Sequence, residues 1–456
     1  MSGDDLSTSQ RPPNVVVFFT DQQRWDTMGL HGNPMELTPN LDRVARSNTH
    51  VARSFTCQPV CGPARSCLQT GLYATTTGCY RNAIPLPEDS RTLAHHFRDA
   101  GYDTGYIGKW HLNEQTARGA VPADKRFGYD HWLASNILEF TSDAYDTVMY
   151  DNDNNEVKLP GYRVDAVTDA AIRYLDAQQA DPFFLFVSYI EPHHQNHIDD
   201  YPPPDGYRER YTGGWVPPDL AALGGSTHQH LGGYYGMVKR LDEAYGRVHD
   251  ALKSLQLDEQ TIVLFTSDHG SHFKTRNGEY KRSCHDSSIR VPTVLSGPGF
   301  FGGGEIQQLV SLIDLPPTLL DAAGIDVPEE MQGQSILPLL HGQGQDWPEE
   351  VFVQISEAQT GRAVRTHRWK YGVDAGDGVR EAWAPTFVEQ YLYDLQADPY
   401  ELTNLIHAES HRPVADVMRQ RLLRRMAGAG EELPDIVTAE IKAAGQRRVD
   451  ANEARQ

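Results

Sequence analysis

Cys61 and Arg65 are the two residues whose types and spacing most directly suggest chemistry. They lie four positions apart in the run 61–71, and Pro63 between them suits the first turn of a helix. The exposed N–H groups and the dipole at a helix N-terminus favour an anion. A thiol nucleophile and a guanidinium at such a place predict chemistry on an anionic substrate. A buried structural cysteine before a helix start fits the same short run.

Polar residues also follow four runs that are predicted as strands. Residues 14–20, 182–189 and 261–266 are typical of buried strands, and residues 101–107 are predicted as a turn and strand. Ligands gather at the carboxyl ends of the strands in an open α/β sheet, so we expect the residues after these runs to lie together. Those residues are Asp21, Gln22, Lys109, His111, His193, His194, Asp268 and His269.

Each of these segments, taken alone, also fits a structural role. Asp21 could be a solvated turn acid, and Lys109 a surface lysine beside the packed Trp110. If the backbone of 109–111 is extended, Lys109 and His111 point to the same side. Cys57 and Cys61 have the spacing of half a zinc site, but no second pair completes it.

Several of these segments together resemble the sulfatase family of the alkaline phosphatase superfamily. The matching runs are C-x-P-x-R with Thr70-Gly71, Thr-Pro-Asn-Leu-Asp at 38–42, Gly-Lys-Trp-His at 108–111, Ser-Asp-His-Gly at 267–270, Lys281 ahead of Arg290-Val291-Pro292, and the stretch 392–405. They occur in family order from about residue 13 to about residue 406.

The resemblance implies a role for each matching residue. Cys61 is oxidised to formylglycine, whose hydrate attacks the sulfur of a sulfate ester. A divalent cation is bound by Asp21, Gln22, Asp268 and His269 together with residue 61. Arg65, Lys109 and Lys281 neutralise the sulfate, and His111 contacts formylglycine. His193 is the general acid, and His194 binds substrate.

The sequence departs from the family pattern at three positions. Gln22 stands where aspartate is commonest, and His285 stands where tyrosine is usual. The family segment Pro-His-x-Pro lacks its second proline here, which leaves His193 and His194 both open as the acid. Calcium is favoured over magnesium because the ligand set is large and all-protein, and imidazole also admits manganese.

Three functions remain open from the sequence. A sulfatase acting on a small sulfated substrate, with carbohydrate sulfate ahead of aryl or choline sulfate, fits best, and it requires a formylglycine-generating enzyme as a maturation partner. A phosphonate monoester or phosphodiester hydrolase of the same superfamily shares much of the site. A non-catalytic anion-binding protein would result if Cys61 stayed a thiol.

Composition narrows the class of partner. The net charge of −21 disfavours nucleic acid and acidic membranes. Five cysteines without a regular framework suit a reducing compartment. No apolar run is long enough to span a bilayer, and residues 1–13 hold no signal core, so we expect a cytoplasmic protein.

The order of apolar runs predicts an α/β fold. We expect an alkaline-phosphatase-like, mostly parallel sheet between helices over residues 12–345, and a smaller α+β subdomain with an antiparallel sheet over 346–456. Residues 113–162 are expected to make long excursions, residues 201–235 a specificity loop or a linker, and residues 241–255 a helix. The charged tail leaves a homo-oligomer open.

Overall fold

The computed structural model describes residues 11–178, 181–302, 304–376 and 378–442. Its largest sheet has ten strands in the order β12-β2-β11-β9-β1-β8-β4-β5-β6-β7. These strands are β1 (Asn14–Thr20), β2 (Thr49–Val51), β4 (Asp103–Lys109), β5 (His131–Ser135), β6 (Thr147–Tyr150), β7 (Glu156–Leu159), β8 (Phe183–Ser188), β9 (Thr261–Ser267), β11 (Val294–Ser296) and β12 (Gly304–Ile306). A small second sheet joins β3 (Ser54–Phe55), β10 (Arg290–Val291) and β13 (Val310–Ser311).

The five central strands of the large sheet run parallel. β1 pairs with both β8 and β9, and β4 pairs with β8 and β5. All residues of β1 are buried, with Val15 and Val17 in one core cluster and Val16 and Phe18 in the other. Because both faces are covered, the strand is apolar throughout, and the predicted parallel α/β fold is confirmed.

Helices cover both faces of this sheet. The α-helices among the described residues are α1 (Pro39–Ser47), α2 (Cys61–Thr70), α3 (Ala74–Thr77), α4 (Leu93–Asp99), α5 (Leu138–Thr141), α6 (Arg163–Ala177), α7 (Tyr207–Tyr211), α8 (Pro218–Ala222), α9 (Thr227–Ser254), α10 (Asp286–Ile289), α11 (Leu315–Ala322), α12 (Leu337–Leu340) and α13 (Arg412–Gly428). Residues of α1, α6 and α9 share one core cluster, and residues of α2, α4 and α11 share the other.

The helix predicted over 241–255 is longer than its pattern suggested. It begins at Thr227 and has 28 residues. Residues 201–235, expected to be a loop or linker, therefore contain the short helices α7 and α8 and the start of α9. Its glycines allow close packing: a Cβ at Gly233 would lie 2.3 Å from the carbonyl oxygen of Tyr201, and one at Gly236 would lie 2.7 Å from Pro203. The prediction was wrong because these glycines serve close helix contacts rather than a loop.

Residues 113–162 also differ from the expectation of irregular excursions. They add β5, β6 and β7 to the edge of the large sheet, and α5 lies between β5 and β6. These strands are short, and β7 alternates between exposed and half-buried positions, so the segment shows little hydrophobic periodicity.

A separate five-stranded sheet forms the C-terminal part. Its strands are β14 (Glu350–Ile355), β15 (Gly361–Thr366), β16 (Trp369–Asp374), β17 (Thr386–Asp394) and β18 (Asp435–Val437). The first four are antiparallel, as predicted, and β18 adds in parallel to β17. α13 packs on this sheet around Met418 and Leu422. The boundary at 345/346 stays a prediction, and residues 443–456 of the charged tail lie outside the described residues.

Within the described ranges, no helix combines the length and apolar character needed to cross a bilayer.

Candidate active site

Four strand ends and one helix start converge on residue 61. β1, β4, β8 and β9 are parallel, so Lys109 at the end of β4 meets Asp21, His193 and Asp268, which follow the other three strands, at one edge of the sheet. Cys61 is the first residue of α2, and every residue of that helix is buried. The helix N-terminus therefore faces the carboxyl edge of the sheet.

The Cys61 thiol is the point at which the polar side chains meet. Lys281 Nζ donates to Cys61 Sγ at 2.8 Å, and Sγ lies 3.6 Å from Asp21 Oδ1 and 3.5 Å from His269 Nε2. Burial would raise the pKa of the Cys61 thiol, but Lys109 and Lys281 hold it well below its ordinary value. Position 61 is therefore built for a negatively charged or strongly polar group.

Arg65 and Lys109 lie beneath this point and bind carboxylates. Arg65 Nη2 donates to Asp21 Oδ2 at 3.0 Å and lies 3.4 Å from Asp268 Oδ2, while Nη1 donates to Ser188 Oγ at 2.6 Å. Lys109 Nζ donates to Asp21 Oδ2 at 2.7 Å. Neither Arg65 nor Lys109 lines the cavity above Cys61. Their direct contacts are with the carboxylates, which they hold in place.

The two buried aspartates differ in their electrostatics. Burial and the Cys61 thiolate would raise the pKa of Asp21, but Lys109, His193 and Lys281 lower it below its ordinary value. Burial and the neighbouring Asp21 raise the pKa of Asp268 to about 7. The protein's own cations thus stabilise the negative charge of Asp21 more than that of Asp268. A bound metal cation between the two carboxylates would stabilise both charges.

Backbone carbonyl groups orient the imidazoles of His193 and His269. His269 Nδ1–H donates to Gly270 O at 2.8 Å, and His193 Nδ1–H donates to His194 O at 2.5 Å. In this tautomer each Nε2 is directed at the site, and Lys281 Nζ lies 3.2 Å from both Nε2 atoms. Burial and Lys281 lower the pKa of His193.

Gln22 is held in an unusual backbone conformation. Its φ is 68°, a left-handed value that is uncommon for a residue other than glycine. The side-chain amide donates to Tyr201 Oη at 2.9 Å and to Ser271 Oγ at 3.2 Å. Both amide hydrogens are therefore used, and the amide oxygen remains as the atom that can bind a cation.

His111 reaches the site by a different route from the predicted extended backbone. β4 ends at Lys109, and His111 has φ 58°. The left-handed turn still brings the imidazole to the cavity, where it contacts the Cys61 thiol and lowers its pKa. The extended-strand argument was therefore wrong in its geometry, although Lys109 and His111 do lie at the same site.

Lys281 comes from a long connection rather than a strand end. Its carbonyl accepts hydrogen bonds from His272 Nε2 and Asn277 Nδ2, both at 3.0 Å. Arg276 of the same connection donates to the carbonyls of Tyr400 and Glu401 at 2.7 and 2.8 Å. The C-terminal part of the chain therefore helps to hold the connection that carries Lys281.

A buried ion cluster strengthens that attachment. Lys370 Nζ lies 2.5 Å from both Asp286 Oδ1 and Glu401 Oε1, and Arg365 Nη2 lies 3.1 Å from Asp286 Oδ2. Asp286 N donates to Glu401 Oε2 at 2.7 Å. His285, at the position where tyrosine is usual, lies with Nε2 3.1 Å from Tyr393 Oη. His285, the departure from the family pattern, therefore lies where the connection that carries Lys281 contacts the C-terminal part of the chain.

A cavity of about 410 Å³ opens above Cys61. His193, His194 and Lys281 line it together with Gln22 and His111. His194 lies toward the outside, where its Nε2 is 2.8 Å from Asp199 Oδ1 and its ring centre is 4.3 Å from that of Tyr280. All the proposed site residues thus lie in the cavity wall or directly beneath it.

Two polar residues of the site were missed from the sequence. Glu139 of α5 is 5% exposed, and its Oε1 accepts a hydrogen bond from Lys109 Nζ at 2.9 Å. Asn82 accepts one from Gly62 N–H at 2.9 Å, at the start of α2. Glu139 lies in the poorly patterned stretch 113–162, and neither residue has a sequence signal that marks it.

The fold and this cluster are typical of a hydrolase for anionic esters, since cations and a candidate metal-binding group surround Cys61. The described residues include one group that could hold a metal, and the ligand atoms of its members lie within 4.8 Å of one another. Its members are Asp21, Cys61, Asp268 and His269.

Comparisons with known proteins identify the family. A family model for sulfatases matches residues 13–325, and one for the C-terminal part of N-sulphoglucosamine sulphohydrolase matches residues 278–427. An ulvan-active sulfatase of Formosa agariphila is 31% identical over 440 residues, covering 92% of this chain and 82% of the relative. An N-acetylglucosamine-6-O-sulfatase of Bacteroides thetaiotaomicron is 24% identical, covering 86% and 82%.

A solved structure shows the same fold. The sulfatase-type protein yidJ of Bacteroides fragilis matches with a TM-score of 0.80 and 26% identity, covering 94% of this chain and 99% of that one. The chain belongs to the sulfatase family, and the protein is an enzyme of the sulfatase class.

Proposed function

We propose that this sulfatase releases inorganic sulfate from a carbohydrate sulfate ester through a formylglycine formed from Cys61. The observation that carries the proposal is the convergence of Lys281, Asp21 and His269 on Cys61 Sγ, at 2.8, 3.6 and 3.5 Å. A cation, a carboxylate and an imidazole around one side chain suit a nucleophile that attacks an anionic ester.

The residues present fit a divalent cation. Asp21, Gln22, Asp268 and His269 would hold it next to residue 61, and they supply carboxylate, amide and imidazole donors. Burial and the neighbouring Asp21 raise the pKa of Asp268 although Arg65 lies near both carboxylates, so a further positive charge would stabilise the pair. Hard oxygen donors favour calcium, with magnesium or manganese as alternatives. When present, the cation and the hydrated aldehyde supply Lewis acidity and the nucleophile.

The protein's own residues perform the remaining tasks. Lys281 lines the cavity and would bind a sulfate oxygen, while Lys109 compensates the carboxylates from below. Arg65 donates to both Asp21 and Ser188, and the bond to Ser188 fixes the guanidinium that orients the Asp21 carboxylate. His111 supports residue 61 from the other side of the cavity, and His194 contributes to the wall that faces the substrate.

His193 is proposed as the general acid. Its Nδ1–H is committed to the His194 carbonyl, so Nε2 is the atom that can pass a proton into the cavity. His194 is instead bound to Asp199 at the outer wall. This difference favours His193 over His194.

A sugar is proposed as the leaving group. One relative is named for activity on ulvan and another for N-acetylglucosamine 6-O-sulfate, which supports this substrate class for the present chain. The polar cavity of about 410 Å³ has room for a sugar sulfate.

A leaving-group comparison tests the proposal. General acid catalysis contributes about 10² to 10⁴-fold, and an alkoxide needs the proton more than a nitrophenolate does. His193→Ala should therefore lose activity in that range toward a sugar sulfate and much less toward nitrophenyl sulfate. Equal losses would remove His193 from the acid role, and the same dependence in His194→Ala would transfer it. Faster hydrolysis of a phosphonate monoester than of any sulfate ester would contradict the sulfatase proposal.

A further inference from the structure

The outer wall of the active-site cavity carries an excess of negative charge. Beyond the residues that surround Cys61, the charged residues that line the cavity are the acids Glu139, Asp199, Glu279 and Glu357 and the cations Lys274 and Arg282. Glu139 is 5% exposed and bound to the buried Lys109, so three carboxylates, Asp199, Glu279 and Glu357, face two cations in the outer part of the cavity.

Both cations are already paired with acids of the same wall. Lys274 Nζ lies 3.6 Å from Asp199 Oδ1 and 4.7 Å from the centre of the Tyr280 ring. Arg282 Nη2 lies 3.1 Å from Glu357 Oε1, and its Nη1 pairs with Glu279. Both cations are thus balanced by carboxylates, and the five residues Asp199, Glu279, Glu357, Lys274 and Arg282 carry one net negative charge.

The fourth acid of the cavity, Glu139, lies deeper and already has a cation partner. Glu139 shares Lys109 with Asp21, and that ammonium lies at 2.9 Å from Glu139 and 2.7 Å from Asp21. Phe140, the next residue, is 41% exposed and also lines the cavity. An apolar ring beside carboxylates suits the C–H face and hydroxyl groups of an uncharged sugar.

We infer that the leaving group of this enzyme carries no anionic group, so that the sulfate to be hydrolysed is the substrate's only negative charge. The inference rests on the proposed function and narrows its substrate class to monosulfated, otherwise uncharged sugars. A second sulfate or a carboxylate would approach Asp199, Glu279 and Glu357 and be repelled. The sulfate that reacts escapes this repulsion because Lys281 lies beside Cys61 at the base of the cavity.

Two ligands that differ in one charge test the inference without turnover. N-acetylglucosamine 6-sulfate and N-sulfoglucosamine 6-sulfate share a ring and a 6-sulfate, and only the second has an anionic group at nitrogen. Calorimetric titration of Cys61→Ala should show about tenfold tighter binding of the N-acetyl sugar at low ionic strength. Because rim charges are exposed to solvent, the preference should shrink as salt is added.

Charge-neutralising variants identify the source of the preference. Asp199→Asn combined with Glu279→Gln, in the Cys61→Ala background, should reduce the preference by at least half. Glu305→Gln combined with Glu329→Gln is the matched control, since both residues are exposed and absent from the cavity wall. This pair removes the same two charges at a distance and should leave the preference unchanged.

Equal or tighter binding of the N-sulfo sugar would overturn the inference, as would a preference that Asp199→Asn with Glu279→Gln does not alter. Binding of neither sugar would also overturn it. Tight, selective binding by Cys61→Ala together with no sulfate release by the mature wild-type enzyme would leave the inference standing and contradict the proposed function instead.

Discussion

The active site has two parts that are built by different means. Asp21, Lys109 and Asp268 lie at the ends of parallel strands. Arg65 binds the carboxylates of both aspartates, and Lys109 binds that of Asp21. Lys281 instead lies on a connection that Arg276 ties to the carbonyls of Tyr400 and Glu401. We name these the strand-end part and the connection part.

The difference lies in what fixes each part. The geometry of the strand-end part follows from the pairing of β1 with β8 and β9, and Arg65 and Lys109 bind its carboxylates directly. The connection part depends on contacts with a distant region of the chain, including the ion cluster of Asp286, Lys370 and Glu401. Changes in the strand-end part should therefore affect stability and activity together, whereas changes in the connection part should affect mainly activity.

Cys61, where the two parts meet, should show the largest effect. Cys61→Ala removes the proposed nucleophile, so turnover should fall to background, while an alanine at this helix start should leave the fold intact. Sulfate release and a thermal melt measure the two effects. Cys67→Ala is the matched control: it deletes another buried thiol of α2 that has no catalytic match, and activity should persist. Substantial turnover by Cys61→Ala would contradict the assignment.

Substituting the two lysines separates the two parts of the site. Lys109→Met leaves Asp21 and Glu139 without their shared ammonium, and breaking a buried ion pair costs about 3–5 kcal/mol of unfolding free energy. Lys281 has no carboxylate partner within the described salt bridges, so Lys281→Met should cost about 1 kcal/mol or less. Both should lose about 10² to 10³-fold in kcat.

Urea unfolding and initial rates measure both quantities on the same preparations. Equal losses of stability in Lys109→Met and Lys281→Met would show that the two parts do not differ in the way described.

Removal of the cation should act on the strand-end part. A chelator leaves Asp21 and Asp268 without an added positive charge, so activity and melting temperature should both fall. A ligand at one hundred times its dissociation constant stabilises by about 2.7 kcal/mol. Calcium should restore both quantities better than magnesium. In Asp268→Asn the chelator should change the melting temperature much less, and a fully active, metal-free enzyme would exclude the proposed cation.

Loosening the connection part should give the smallest effect. Arg276→Met removes two hydrogen bonds to the carbonyls of Tyr400 and Glu401, and kcat should fall by about tenfold as Lys281 loses its fixed position. The affinity for the cation should not change. Arg247→Met, which breaks surface ion pairs to Asp165 and Asp169, is the control and should keep full activity. An unchanged kcat in Arg276→Met would show that the C-terminal part does not position Lys281.

The same division explains how much could be predicted from the sequence. Asp21 and Asp268 follow apolar runs and Lys109 ends a shorter predicted strand. Parallel pairing brings such strand ends together, so the three residues could be grouped from the sequence. Lys281 follows no strand and was identified only by resemblance to the sulfatases. Its attachment to Tyr400 and Glu401 depends on tertiary packing, which no local pattern records.

Three other features could not be predicted from the sequence, also for physical reasons. Glu139 sits on the four-residue helix α5 among short edge strands, where neither helical nor strand periodicity can develop. The start of α9 was hidden by glycines such as Gly233 and Gly236, which allow close contact with residues 201–207. The charge distribution of the cavity wall also required the structure, because Asp199, Lys274 and Glu357 come from three distant segments.

The rate of sulfate release as a function of the converted fraction of residue 61 tests the central claim most directly. Preparations made with and without a formylglycine-generating enzyme would be analysed by peptide mass spectrometry and assayed with one sulfate ester. The proposed function predicts that kcat rises in proportion to the formylglycine fraction and extrapolates to background for the unmodified thiol. A fully active preparation in which residue 61 is entirely cysteine would contradict it.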